Sequence, residues 1–220
     1  MFESVNVIGR GRVGSAVAAR LEERGVELRE DGELVLLCVP DAAIADVCQG
    51  LSLGHGQWIA HVSGATPLRA LDPHTLRFGL HPLQTFTRSR GAEQLDGAWA
   101  AITAESPSAR RSGHELATTL GLRPFDLDDD ARPLYHAGAA IASNYLVTLY
   151  HAAASLFERA GAPPEALVPL MTRTIENGFY LTGPIARGDW ETVDAHVRAI
   201  HDEAPELEPM YLALAEATKP

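Results

Sequence analysis

Lysine is almost missing from this chain. The sequence of 220 residues holds a single one, Lys219, beside 17 arginines. A Schiff base, a P-loop lysine and a lysine acid or base in a formed site are therefore excluded. Arginine does not replace lysine as a proton donor, because its guanidinium keeps its proton up to a pKa above ~12. Cysteine is nearly as scarce. Cys38 and Cys48 make no CxxC pair, which excludes a disulfide framework, a zinc site and a dithiol redox motif. Both read as small buried hydrophobes, and no metal is expected. Positive charge is in deficit, with 29 acidic against 18 basic side chains and a formal net charge of -11. Nucleic acid is therefore not an expected partner, although a local arginine cluster can still hold a small anion. A long uninterrupted apolar run is missing too. The most apolar long segment, residues 134–160, carries His136, Asn144, Thr148 and His151. It reads as a core helix, no membrane partner is expected, and the protein is expected to be cytoplasmic.

What is present alternates between strand and helix. Val5 to Ile8 reads as a buried strand, followed by the turn Gly9-Arg10-Gly11-Arg12-Val13-Gly14 and a helix over Val13 to Arg24 that Gly25 stops. Further strands are expected at Leu34 to Val39, Trp58 to Val62, Phe78 to His81, Trp99 to Thr103 and Arg123 to Leu127, with a helix over Ala109 to Leu120. Strands separated by helices imply a mainly parallel sheet. After the acidic stretch Asp126 to Asp130 only helical patterns follow: Pro133 to Ala160, Pro164 to Phe179, Asp189 to Ile200 with Asp189 as N-cap, and Leu207 to Ala217. The fold class is α/β: a truncated Rossmann-like parallel-sheet domain over residues 1–129, then an all-helical domain over residues 130–220.

The truncation lies between Arg24 and Leu34. In a complete dinucleotide fold a second strand places an acidic residue on the adenosine ribose, about 20 positions past the first glycine, or an arginine on a 2′-phosphate. Arg29, Glu30 and Asp31 fall at that distance, yet the strand at Leu34 starts almost at once. Four residues reach at most ~14 Å, too little for a crossover back across the sheet. A hairpin through Asp31-Gly32 would close the gap as an antiparallel pair. The simpler expectation is that residues 26–33 run along the bottom of the sheet, with the second and third strands absent.

Ligands of open parallel sheets sit beyond the carboxyl ends of the strands. The turns there collect the glycine turn, Val39-Pro40, Ser63-Gly64 and His81-Pro82-Leu83-Gln84. The long helix adds a second group. At ~100° per residue His136, Ser143, Asn144 and His151 share one arc of ~100° on a mostly apolar helix. Structural hydrogen bonds explain any one of them; four together suggest a polar site. With no lysine at hand, histidine is the natural proton donor, and His81 and His136 are the candidates. The loop from Leu181 to Asp189 ends at a helix start, where Thr182, exposed amides and Arg187 could hold a carboxylate or phosphate; the alternative is that Asp189 caps its helix and pairs with Arg187.

Together GRVG at Gly11 to Gly14, LLCVPDAAI at Leu36 to Ile44, HVSGA at His61 to Ala65, LHPLQTF at Leu80 to Phe86, YHAGAAIASNYL at Tyr135 to Leu146 and LTGPIARGD at Leu181 to Asp189 resemble the Rossmann-like proteins with a DUF2520 domain. These are relatives of the 6-phosphogluconate dehydrogenase, ketopantoate reductase and pyrroline-5-carboxylate reductase group. The resemblance implies NAD or NADP as cofactor, an oxidoreductase activity, and a homodimer through the helical domain. Two departures stand out: the helical-domain lysine used by ketopantoate reductases and 6-phosphogluconate dehydrogenases has no counterpart here, and the stretch between Gly14 and Leu36 is short. The leading expectation is reduction of a small carbonyl or imine. Gly9, Arg10, Gly11, Arg12, Val13, Gly14, Val39 and Pro40 would hold the cofactor; Ser63, Gly64, Gln84, Ser143, Asn177, Thr182 and Arg187 the substrate; and His136, Asn144 and His81 would act in catalysis. The competing expectation is a ligand-binding or regulatory protein that has lost dinucleotide binding; a third is a smaller phosphorylated ligand or mononucleotide.

Overall fold

A computed structural model describes residues 1–219 and divides the chain into two compact units, the first Met1–Ile141 and the second starting at Ala142. The first unit holds β1 (Ser4–Ile8), α1 (Arg12–Glu23), β2 (Glu27–Leu28), β3 (Leu34–Leu37), α2 (Ile44–Gln49), β4 (Trp58–His61), β5 (Arg77–Leu83), β6 (Trp99–Thr103), α3 (Pro107–Thr119), β7 (Arg123–Asp126) and α4 (Arg132–Ala140). Its seven strands form one sheet in the order β2-β1-β3-β4-β5-β6-β7.

Alternation along β3 explains the layering. Leu34 and Leu36 face α1 and α3 with Val17, Leu21, Leu116 and Leu120, whereas Val35 and Leu37 face the other layer with Ile44, Cys48, Leu68 and Leu71. A strand covered on both faces must be apolar at every position, and all four β3 residues are buried. Pairing is parallel from β2 to β5; β6 runs antiparallel to β5, and β7 parallel to β6. The reversal arises because residues 84–98 carry no full helix and return the chain at the same end, with Leu83 opposite Trp99.

The second strand is not absent, a correction to the sequence-based expectation. Glu27 and Leu28 pair in parallel with Ser4 and Val5, at the start of β1, and the chain then crosses below the sheet centre to β3. No third strand precedes Leu34 among the described residues. The crossing is so close that a Cβ on Gly32 would lie 2.8 Å from the Val5 carbonyl carbon. Asp31-Gly32 thus serves a backbone contact and not an antiparallel hairpin.

The expected continuous helix Pro133 to Ala160 is interrupted. A π-helical turn, Ile141–Tyr145, follows α4 and leads into α5 (Leu146–Arg159). The wider turn changes the angular step, so the shared arc counted from His136 to His151 does not carry through, and Asn144 and His151 are exposed. The second unit continues with α6 (Leu167–Glu176), α7 (Pro184–Arg187), α8 (Trp190–Glu203) and α9 (Glu208–Ala217). Leu167, Val193, Ile200 and Ala204 are its buried apolar residues. No helix among the described residues is long and apolar enough to cross a membrane.

Candidate functional site

The glycine turn is built by close approach. Gly9 has φ +98°, and a Cβ there would stand 2.5 Å from the Cys38 carbonyl oxygen; a Cβ on Gly14 would stand 1.9 Å from the Gly9 oxygen. Only glycine fits either position. Gly11 is different, with nothing within 4 Å of its Cβ direction. It is the N-cap of α1, no side chain caps the helix, and its first turn has no acid. The leading amides of α1 therefore remain free for an anion. Arg10 and Arg12 are exposed, Val13 is half-buried, and Val39 and Pro40 follow the segment on which the turn packs.

A second cluster forms beyond the ends of β4 and β5. His61 closes β4 opposite Gly79, and β5 runs on, so His81 stands two residues above that level. Gly64 lies between two rings: a Cβ there would meet His136 Cδ2 at 2.7 Å and His81 Nε2 at 2.9 Å. The two ring centroids are 6.1 Å apart. His81 Nδ1 and the Tyr135 hydroxyl share a hydrogen bond of 2.7 Å. Burial, then His136 and Arg132, push the His81 imidazolium down to about 4, while burial pushes the Tyr135 phenol up to about 12. Both groups are neutral at pH 7.

Arg132 holds the frame behind these rings. It is 1% exposed, donates through Nη1 to Thr103 Oγ1 at 2.7 Å and through Nη2 to the Ser63 carbonyl, and lies 3.9 Å from the Asp129 carboxylate. Asp129 accepts in turn from the Leu68 amide at 3.0 Å. Burial lowers the Arg132 pKa, and Asp129 opposes that shift. His61 is fully buried beside it, and neither ring nitrogen has a hydrogen-bond partner. Burial and Arg132 push His61 down to about 3, so it is neutral.

The structure thus gathers Gly64, His81 and His136, as expected, and adds Tyr135, Arg132 and His61. Tyr135 and Arg132 escaped the sequence reading because they sit at the start of α4, beside the polar arc that began at His136. Their places four residues and one residue before His136, and Tyr135's aromatic hydroxyl, were the available signals. Ser63 is nearby, but its hydroxyl shapes its own turn: it donates to Thr66 Oγ1 at 2.9 Å and accepts from the amides of Ala65 and Thr66. Gln84 is exposed, and its amide donates to the Gln94 carbonyl at 3.1 Å. Ser143, Asn144, Asn177, Thr182 and Arg187 belong to the second unit. Asn177 ends α6, and Thr182 and Arg187 are exposed around the four-residue α7. Asp189 caps α8 by accepting from the Thr192 amide at 3.2 Å and its hydroxyl at 2.8 Å, and Arg187 forms no ion pair among the described residues.

Comparison with known proteins agrees with this architecture. A Rossmann-like domain pattern matches residues 24–86. Among solved structures, the chain resembles a Bacteroides fragilis protein provisionally assigned as an NADP oxidoreductase, 22% identical over 98% of this chain and 97% of that one, with a TM-score of 0.82. A Thermotoga maritima protein is also 22% identical, over 97% and 96%, with a TM-score of 0.78. Prephenate dehydrogenase from Aquifex aeolicus, in complex with hydroxyphenyl propionate and NAD+, is 16% identical over 99% and 97%, with a TM-score of 0.59. At these identities the likeness is one of fold. No curated protein matches the chain. The pattern of the domain of unknown function DUF2520 matches residues 98–218, more than half of the sequence, and the chain belongs to the DUF2520 family.

Proposed function

We propose that the protein is an NAD(P)-dependent oxidoreductase that reduces a small carbonyl or imine. The observation that carries this reading is the pairing of His81 with Tyr135 beside the side-chain-free surface of Gly64, three strands from the glycine turn. Adjacent strands lie ~4.8 Å apart, so β1 and β5 are separated by ~14 Å along one carboxyl edge. The turn fits the pyrophosphate of a dinucleotide, since its free amides open where Gly11 leaves space. A bound nicotinamide cofactor supplies or accepts a hydride.

The chain's own residues handle the proton. With Tyr135 donating to His81 Nδ1, the His81 proton resides on Nε2, which faces Gly64. A substrate oxygen there accepts that hydrogen bond, and its developing charge draws the proton from Nε2 while Tyr135 resupplies Nδ1. Burial pushes the Tyr135 phenol up to about 12, and Arg132 opposes that shift, so it offsets part of the cost of the tyrosinate left behind. In the opposite tautomer Nε2 is a base for the alcohol in the reverse direction. His136 flanks the same space and limits which substrates enter. On this reading proton transfer belongs to His81 and Tyr135, and His136 has a shaping role.

The test is thermal unfolding of the full chain with NADH, NADPH, NAD, NADP or AMP. A ligand at 100 times its dissociation constant stabilises by ~2.7 kcal/mol, equivalent to about 5–10 °C at this size. No shift with any dinucleotide at millimolar concentration would sink the oxidoreductase reading. The ligand-binding alternative draws on the short β2, which ends opposite Val5 and offers no shelf at the top of β1. It expects a shift with a small phosphorylated ligand alone. For assembly we propose a homodimer through the helical unit, supported by the exposure of Val147, Val168, Leu170 and Ile175 there. Sedimentation at a monomer mass would refute it.

A further inference from the structure

A concave pocket of about 360 Å³ beside the start of α1 is lined by Arg10, Arg12, Arg88 and Arg90. No carboxylate shares its lining. Arg10, Arg12 and Arg88 make no ion pair among the described residues, and Arg90 meets only Glu93, at 3.3 Å. Four guanidinium groups gathered with one carboxylate, Glu93, at their margin form a local positive site suited to an anion, in a chain whose net charge is -11.

The loop that brings Arg88 and Arg90 here is organised from beneath. Gln94 is 2% exposed; its side-chain amide donates to the carbonyls of Thr87, Arg90 and Gly91, and its oxygen accepts from the Thr87 amide at 2.8 Å. Arg20, buried in α1, donates to the Ala92 carbonyl at 3.0 Å and ties the loop to the same helix. The arginines therefore project from a fixed base next to the phosphate-binding turn.

The usual means of choosing between the two nicotinamide dinucleotides is displaced. An acid at the tip of the second strand would grip the ribose hydroxyls of NAD. Here Glu30 and Asp31 stand at the opposite edge of the sheet, in a depression shared with Glu3, Ser52 and His55. Among the described residues that line the pocket beside α1 there is no acid to repel an additional phosphate.

We propose that the Arg10, Arg12, Arg88 and Arg90 pocket binds the 2′-phosphate end of NADP(H), with the loop arginines doing the work normally given to the end of the second strand. The proposal rests on the oxidoreductase reading and names the cofactor of that site. Charge supports it: a pyrophosphate brings about two negative charges and a phosphomonoester about 1.5 to 2 more, so NADPH balances four arginines and NADH about half of them.

Isothermal titration of the full chain with NADPH and NADH, for the native protein and R88A/R90A, tests it by binding alone. The native protein should hold NADPH at least tenfold more tightly than NADH. The double variant should lose about 100-fold in NADPH affinity, about tenfold per arginine, while NADH changes by less than about threefold. Equal native affinities would overturn the proposal and leave the oxidoreductase reading intact. A preference for NADPH that survives in R88A/R90A would overturn the assignment to these arginines. Failure of both dinucleotides to bind would overturn both readings together.

Discussion

Acidification should unfold this protein through His61. The residue is 0% exposed, its two nitrogens meet no partner, and burial with the adjacent Arg132 pushes its pKa from 6.5 to about 3. Between those values the unfolded chain binds a proton that the folded chain refuses, so stability falls as pH drops through 6.5 and levels off near 3. At ~1.36 kcal/mol per pH unit over ~3.5 units, the loss is on the order of 5 kcal/mol. That is comparable to the whole stability of a marginal domain, ~5–15 kcal/mol. Urea unfolding followed by the fluorescence of Trp58, which packs on Phe2 and Phe78, measures it for the native chain and His61→Phe from pH 7 to pH 4.5. His81 also loses stability on acidification, in both proteins, and cancels in the difference. Native stability relative to the variant should drop by roughly 1.4 kcal/mol per unit below pH 6.5. At pH 7 the variant should be neutral to slightly stabilising, since two unpartnered nitrogens leave the core. Parallel pH curves would refute the reasoning, and His61→Leu guards against a misfit of the phenyl ring.

Tyr135→Phe keeps the ring contacts with Phe125 and His81 but removes the proton source, so kcat should fall by about 10²–10³ with an unchanged melting temperature. An unaltered kcat would remove Tyr135 from the reaction. Gly64→Ala places a methyl 2.7 Å from His136 and 2.9 Å from His81, which must both shift. It should cost about 1–3 kcal/mol in stability and at least tenfold in kcat/KM, with wild-type turnover as the contrary result. Arg132→Met leaves the Ser63 carbonyl and the Thr103 hydroxyl without their donor. A loss on the order of 3 kcal/mol by denaturant titration is expected, and a change below ~1 kcal/mol would show that the buried cation is dispensable.

Much of this architecture was legible in local pattern. The apolar runs from Val5, Leu34, Trp58 and Trp99 each became a strand, and Gly9 and Gly14 sit where backbone packs too closely for any side chain. Gly64 and His81 were singled out by the turns that follow the strands and His136 by the polar arc on the long helix, and the structure brings the three together. What escaped was whatever depends on direction or on distant partners. Nothing local in Trp99–Thr103 states that β6 runs against β5. The π-turn at Ile141–Tyr145 has no marker in apolar periodicity, and it changed the face on which His151 falls.

The sequence by itself determined the apolar runs, the backbone positions open only to glycine, and the shortage of lysine that excludes a lysine acid or base from a formed site. Tertiary structure alone decided that Glu30 and Asp31 lie at the wrong edge for a ribose, that Arg88 and Arg90 lie beside Arg10 and Arg12, and that Tyr135 reaches His81. The physical reason is range. Periodicity and turn chemistry act over a few residues, whereas the field at a site is summed over groups 50 or more positions apart in the chain, as His81 and Tyr135 are at |i−j| = 54. Only the packed sheet brings those groups within reach of one another.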